Sequence, residues 1–249
     1  MAPAPRGASA TSATGTRAGT TAGTAAEWIP PRPTLPKVRA AAAGCRACHL
    51  WTLGTQTVFG EGPRRAAVMV VGEQPGDQED QAGRPFVGPS GRLLDRALDA
   101  AGIDRDTVYV TNTVKHFKWE RGGRGGRRIH KTPNAAEVTA CRPWLEVEIA
   151  LVRPRLIVCL GATAAQALLG KQFRVTAGRG KAIRGSPFAD VVVATVHPSS
   201  VLRVPDAAGR EQAERAFVAD LKRAARHARS ESSRSESVRS RATERPSRP

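Results

Sequence analysis

Ala66-Ala67-Val68-Met69-Val70-Val71 is an apolar run of strand length, and Gly72-Glu73-Gln74-Pro75-Gly76-Asp77-Gln78-Glu79-Asp80 follows it directly. The loop continues through Gly83-Arg84-Pro85-Phe86-Val87-Gly88-Pro89-Ser90-Gly91 before a helical apolar period begins. A buried strand that opens into a shaped Gly/Pro loop and then a helix is the opening unit of a parallel α/β sheet, whose ligands sit beyond the carboxyl ends of the strands. Glu73, Asp77, Glu79 and Asp80 place four carboxylates in this loop. Carboxylates repel phosphate, so the loop suits chemistry better than phosphate binding.

The rest of the chain repeats the pattern. A helix is expected over about 91–101, with Leu94, Ala97, Leu98 and Ala101 on one face and Gly102 just past its end. Thr107-Val108-Tyr109-Val110-Thr111 reads as a second strand ending at Asn112. A helix stopped by Pro154 opens either with Pro133 at its first position or with Asn134 and Glu137 as a capping pair. Arg155 to Gly161 reads as a third strand, and Val191 to Val196 as a fourth, ending in His197-Pro198-Ser199-Ser200. A last helix is expected over about 209–225, and a short edge strand at Thr57–Phe59. The expected fold is a three-layer α-β-α sandwich with a central four-stranded, mainly parallel sheet. Glu73, Asn112 and His197 then lie just past the ends of three different strands.

The chain has 249 residues and a formal net charge of +17. Residues 1–40 contribute +4, residues 221–249 contribute +6, and the remainder +7, so the folded part is itself basic. This favours a polyanionic partner. Residues 1–40 are read as a disordered or extended tail, 41–225 as one domain, and 226–249 as a disordered Ser/Arg-rich tail. No apolar run is long enough to cross a membrane, and no leader pattern is evident, so a cytoplasmic, nucleoid-associated monomer is expected.

Two further features carry chemistry. Residues 115–131 hold seven Lys or Arg against Glu120 alone, interleaved with Gly122, Gly123, Gly125 and Gly126. Lys115, Arg121, Arg124, Arg127, Arg128 and Lys131 are candidate phosphate contacts in what reads as a long basic loop. Cys45, Cys48, Cys141 and Cys159 are the four cysteines. A Cys-x-x-Cys pair with two more thiols and none to spare suggests a tetrathiolate site, for zinc or an iron–sulfur cluster, which spacing does not separate.

Together these residues resemble the uracil-DNA glycosylase superfamily, specifically the iron–sulfur family 4, and within it the UdgX branch that crosslinks covalently to uracil-containing DNA. The resemblance spans about residues 40–225. It implies a uracil-DNA glycosylase-like fold and a 4Fe–4S cluster on the four cysteines, with zinc as the alternative. It implies that Glu73 is the catalytic acid of the water-binding motif, with Gln74, Gly76, Asp77 and Asp80 around the substrate; Gln74 stands where typical family 4 members have Ala. Phe86 matches the aromatic that stacks on uracil, Asn112 the reader of the pyrimidine edge, and His197 the residue facing uracil O2. Ser199 and Ser200 belong to the loop that supports the strand. Arg127-Arg128-Ile129-His130-Lys131 resembles the extra loop of that branch, with His130 as its nucleophile.

The function implied is cleavage of the N-glycosidic bond of deoxyuridine, with His130 becoming bonded to C1′ in a single turnover. The partner implied is uracil-containing DNA, with single strands preferred because an unpaired base is cheaper to extract. The alternatives are a turnover glycosylase that releases free uracil and a DNA-binding protein without catalysis.

Overall fold

The computed structural model describes residues 23–122 and 126–243, with side chains to residue 228. Its first elements are a 3-10 turn, Ala25–Trp28, and helix α1, Leu35–Ala42. Strand β1 is Val68–Gly72, and α2, Asp77–Ala82, and α3, Pro89–Ala100, follow it. Next come β2, Val108–Asn112, and a hairpin of β3, Trp119–Gly122, and β4, Arg127–His130. Helix α4 is Ala135–Val152, β5 Leu156–Leu160, α5 Ala162–Leu169, α6 Val175–Gly178 and β6 Ala182–Ile183. Strand β7, Val191–Thr195, leads to α7, Pro198–Leu202, and α8, Ala207–Thr243.

The main sheet has the order β2-β1-β5-β7-β6. The first four strands are parallel and β6 runs antiparallel to β7. The sheet therefore has five strands, one more than the sequence predicts. The two residues of β6 are too few to show a period, and only pairing with Val192 and Val193 makes them a strand. The expected strand at Thr57–Phe59 is absent; the nearby pairing is a single bridge between Glu61 and Val110.

Strand alternation builds the layers. Val70, Val110, Val158 and Val193 face Leu94, Leu98, Phe217 and Leu221 of α3 and α8. Met69, Val71, Tyr109, Ile157, Cys159, Val192 and Ala194 face Leu145, Ile149, Ala165 and Leu168 of α4 and α5. A third cluster lies beyond α4, where Ala25, Val38, Ala42 and Leu50 pack on Trp144 and Val147. The N-terminal residues from Ala25 onward are thus docked on α4, inside the stretch read as a tail. Similarly, α8 continues as helix to Thr243, through most of the second stretch read as a tail. Residues 1–22 and 244–249 lie outside the described residues.

From β1 the chain passes to β2 on one side, while β5 lies on the other. This reversal leaves a crevice at the carboxyl ends of β1 and β5, where an open α/β sheet binds its ligand. Among the described residues no helix is long and apolar enough to cross a membrane.

Candidate functional site

A cavity of about 550 Å³ opens over this crevice. Glu73, Asn112 and His197 all line it, with Gln74, Gly76, Phe86, His130, Ser199 and Ser200. Sheet register explains the convergence. Gly72 pairs with Asn112, and Leu160 pairs with Thr195, so each strand releases its next residues at the same level.

Gly72 is required by close approach. A Cβ there would collide with the Asn112 side chain and come within 2.7 Å of Phe86 Cζ. Phe86 is buried, with a left-handed φ of 58°, a conformation uncommon for an aromatic residue. Glu79 holds the segment around it: one carboxylate oxygen accepts from the Gly88 N–H (2.7 Å) and the other from the Gly76 N–H (3.1 Å). The Phe86 ring stacks against His197, with centroids 6.4 Å apart and 29° between planes.

His197 caps α7, its Nδ1 accepting the Ser199 N–H at 3.1 Å and lying 2.8 Å from Ser199 Oγ. Burial, with smaller contributions from His130 and Arg203, lowers its pKa to about 4. At neutral pH the ring is uncharged, and a neutral ring that accepts at Nδ1 carries its proton on Nε2. His197 is therefore a neutral donor at the cavity wall.

Glu73 is held across the crevice. Its Oε2 accepts from Thr163 Oγ1 at 2.6 Å, and its Oε1 lies 3.5 Å from His130 Nε2. His130 keeps 48% of its side chain exposed, yet burial of the remainder lowers its pKa. Glu73 works against that shift and Arg203 adds to it. Phe117 supports the ring from 6.1 Å.

His130 reaches the cavity from the β3–β4 hairpin, which pairs Trp119 with His130 and Arg121 with Arg128. The sequence predicts a loop here. The pairing was hidden because basic residues and glycines mask the strand period.

Two side chains read from sequence as substrate or phosphate contacts also fasten this hairpin. Gln74 donates to the carbonyls of Lys118 (3.2 Å) and Lys131 (3.1 Å) and accepts from the Lys118 N–H (3.1 Å). Arg128 pairs with Asp77 and, at 2.6 Å, with the fully buried Asp80, which also accepts the Thr55 N–H. Arg128 further stacks over Phe117 and Trp119.

Lys115 is likewise placed inside the protein rather than toward a phosphate. It is buried, and its ammonium meets Glu148, Thr111 Oγ1 (2.7 Å) and the Asn112 carbonyl (2.6 Å). Arg121 and Arg127 are exposed, as is Lys131, which pairs with Glu120 at 2.9 Å. Arg124 lies outside the described residues. Ser200 Oγ donates to the His197 carbonyl at 2.7 Å. Sequence reasoning missed Thr163 and Arg203, and gave Glu79 no role beyond its place among the loop carboxylates; the position of Thr163 just past the third predicted strand was the available signal.

The cysteine expectation is corrected. Among the described residues no group of three or more His, Cys, Asp or Glu side chains is arranged to hold a metal ion, so neither the 4Fe–4S cluster nor zinc is supported. Cys159 lies within β5, opposite Val71 and Ala194, in the core layer under α4 and α5. Cys45 and Cys141 belong to the separate core beyond α4, with Cys48 packed against it. Burial pushes the thiols of Cys141 and Cys159 up to about 12 and raises Cys48 as well. All four cysteines are free.

Residues 59–222 match the family described as the uracil DNA glycosylase superfamily. The chain is 38% identical over 190 residues to a type-4 uracil-DNA glycosylase of Pyrobaculum aerophilum, covering 74% of this chain and 92% of that one. It is 38% identical over 164 residues to the type-4 enzyme of Thermotoga maritima, covering 64% and 78%. It is 35% identical over 187 residues to that of Archaeoglobus fulgidus, covering 70% and 84%. These relatives are type-4 enzymes, and nothing in the matches singles out the UdgX branch expected from sequence; that assignment is withdrawn to the type-4 family.

Proposed function

The chain belongs to the uracil-DNA glycosylase superfamily, and we propose that it excises uracil from DNA as a turnover N-glycosylase. One observation carries this: an amide, a neutral imidazole and a carboxylate at the ends of separate strands converge on one cavity with a stacking ring from the segment between α2 and α3.

The flipped base stacks on Phe86, an interaction worth about 1–3 kcal/mol. The Asn112 amide donates to uracil O4 and accepts from N3–H. Cytosine offers the opposite pattern at both positions and would leave buried polar groups unpaired. As the C1′–N1 bond breaks, its electron pair passes to the base and charge gathers on O2. The His197 Nε2–H meets that charge, and a neutral donor stabilises the developing anion more than the ground-state carbonyl. The Glu73 carboxylate faces the cationic sugar and accepts a proton as water bonds to C1′. The products are free uracil and an abasic sugar.

A second reading has one observation in its favour. His130 Nε2 lies 3.5 Å from Glu73 Oε1, on the same cavity wall, and burial disfavours its charged form. A neutral imidazole there competes with water for C1′, and a C1′–N bond would end the cycle as a protein–DNA crosslink. Incubation with an end-labelled single-stranded uracil oligonucleotide, beside a thymine control, separates the readings. Free uracil at many equivalents of enzyme is the expected result. A band surviving SDS and heat at one equivalent, absent in His130→Ser, replaces turnover with trapping. Neither product overturns both.

A further inference from the structure

The Glu73 carboxylate has one side-chain hydrogen bond among the described residues, and its donor comes from the far wall of the crevice, ninety residues along the chain. Thr163 is the second residue of α5. Its position is set by Gly161, which leaves β5 with φ +89°, a turn that favours glycine. The same glycine lies against His197, where an added Cβ would stand 3.2 Å from the His197 Cβ. A single turn of chain thus lies beside His197 and bonds the carboxylate of the cavity. Thr163 stands too early in the helix for its hydroxyl to bond back to a carbonyl of the preceding turn, and the hydroxyl instead crosses to Glu73 Oε2 at 2.6 Å. Oε1 is left facing the cavity beside His130, at 3.5 Å, longer than a good hydrogen bond.

We propose that Thr163 is a positioning residue for base excision: its hydroxyl fixes the plane of the Glu73 carboxylate so that Oε1 is presented to the attacking water and the sugar. This rests on the glycosylase reading above. Thr163 acts through Glu73 alone, while Phe86, Asn112 and His197 hold the base without it. Loss of the hydroxyl leaves Oε2 without its donor, and the carboxylate is free to rotate toward His130. Binding of the base is unchanged and its excision is slowed.

Uracil release from a single-stranded oligonucleotide is measured for the full-length wild type, Thr163→Val, Thr163→Ala, Thr163→Ser, Glu73→Gln and Glu73→Gln/Thr163→Val. The expected result is a kcat about tenfold to a hundredfold lower for Thr163→Val, the range of a lost hydrogen bond to a charged group. KM stays within about twofold, and Thr163→Ser lies within about threefold of wild type. In the Glu73→Gln background the valine substitution adds no further loss, because the carboxylate through which it acts is gone. Thr163→Ala removes the same hydroxyl and replaces Thr163→Val should the valine variant melt early. Wild-type kcat in either variant, or losses from Thr163→Val and Glu73→Gln that multiply, overturns the proposal while wild-type activity upholds the glycosylase reading. An inactive wild type overturns both.

Discussion

Glu73, Asn112 and His197 leave β1, β2 and β7 directly, whereas His130 reaches the same cavity on a hairpin that pairs with no strand of the main sheet. The strand ends inherit their placement from the ladder. It continues past them through Thr113 N–H to the Gly72 carbonyl, Val114 N–H to the Glu73 carbonyl, and Gly161 N–H to the Thr195 carbonyl. A lone two-stranded hairpin has no comparable support and is marginal by itself. Here it is held by side chains instead, by Gln74 across its base and Arg128 into Asp77 and Asp80. One part of the cavity wall is rigid because of backbone pairing; the other is rigid only while a few polar contacts last.

The largest effect is expected from breaking the support of the first part. Lys115→Met leaves the Glu148 carboxylate buried without its cation, beside Tyr109, Thr111 and the Gly60 N–H. Removing one partner of a buried pair costs about 3–5 kcal/mol, to be read from urea unfolding at pH 7. A loss below about 1 kcal/mol would mean that this network does not support the strand ends.

Arg128→Ala is the matching cut on the hairpin. Asp80 keeps the Thr55 N–H, so a smaller global loss of about 2–3 kcal/mol is expected. Amide exchange should accelerate in β3 and β4 and stay slow in β1 and β5. Equal acceleration in both regions would show one cooperative unit and remove the contrast.

Acid sharpens the comparison further. Burial lowers both His197 and His116 to about 4 in the folded chain, against an ordinary value near 6.5. The folded state binds fewer protons than the unfolded one, so stability is full above about pH 6.5 and falls as pH drops toward 4. Each residue should account for about 2 kcal/mol lost between pH 6.5 and 5, measured by unfolding at a series of pH values. His130, half exposed, should contribute less; a slope unchanged by His116→Gln would refute the assignment.

The smallest effect concerns the exposed face of the hairpin. Arg127→Ala should leave the melting temperature unchanged and weaken binding to all DNA sequences alike. It should also reduce the slope of log affinity against log salt by about one. A sequence-dependent loss would give Arg127 a different role.

Much of this arrangement was legible beforehand. Val68–Val71, Val108–Thr111, Leu156–Leu160 and Val191–Thr195 announce themselves as apolar β-branched runs, and of the two starts open for α4 the Asn134–Glu137 cap is the one formed, with bonds of 2.9 and 2.7 Å. Because parallel strands put ligands at their carboxyl ends, Glu73, Asn112 and His197 could be grouped across more than 120 residues of chain. The hairpin was not legible, since Trp119-Glu120-Arg121-Gly122 and Arg127-Arg128-Ile129-His130 lack the alternation of a half-buried strand.

Cysteine spacing misled for a related reason. Four thiols in one chain invite a shared ligand, but strand pairing commits Cys159 to one core layer and leaves the other three beyond α4. The charges of Lys115 and Arg128 were visible, but their partners were not; Lys115 is buried against Glu148, and the half-buried Arg128 reaches in to the buried Asp80.

The sequence by itself determined the parallel sheet, the loops at its carboxyl edge and the residue types available there, because periodicity and turn chemistry are local properties of the chain. Only the tertiary structure decided which carboxylate oxygen faces the cavity, which cations are buried and how the hairpin is held. Those outcomes depend on partners far apart in sequence, such as Thr163 and Glu73 or Arg128 and Asp80, whose distances the folded sheet alone sets.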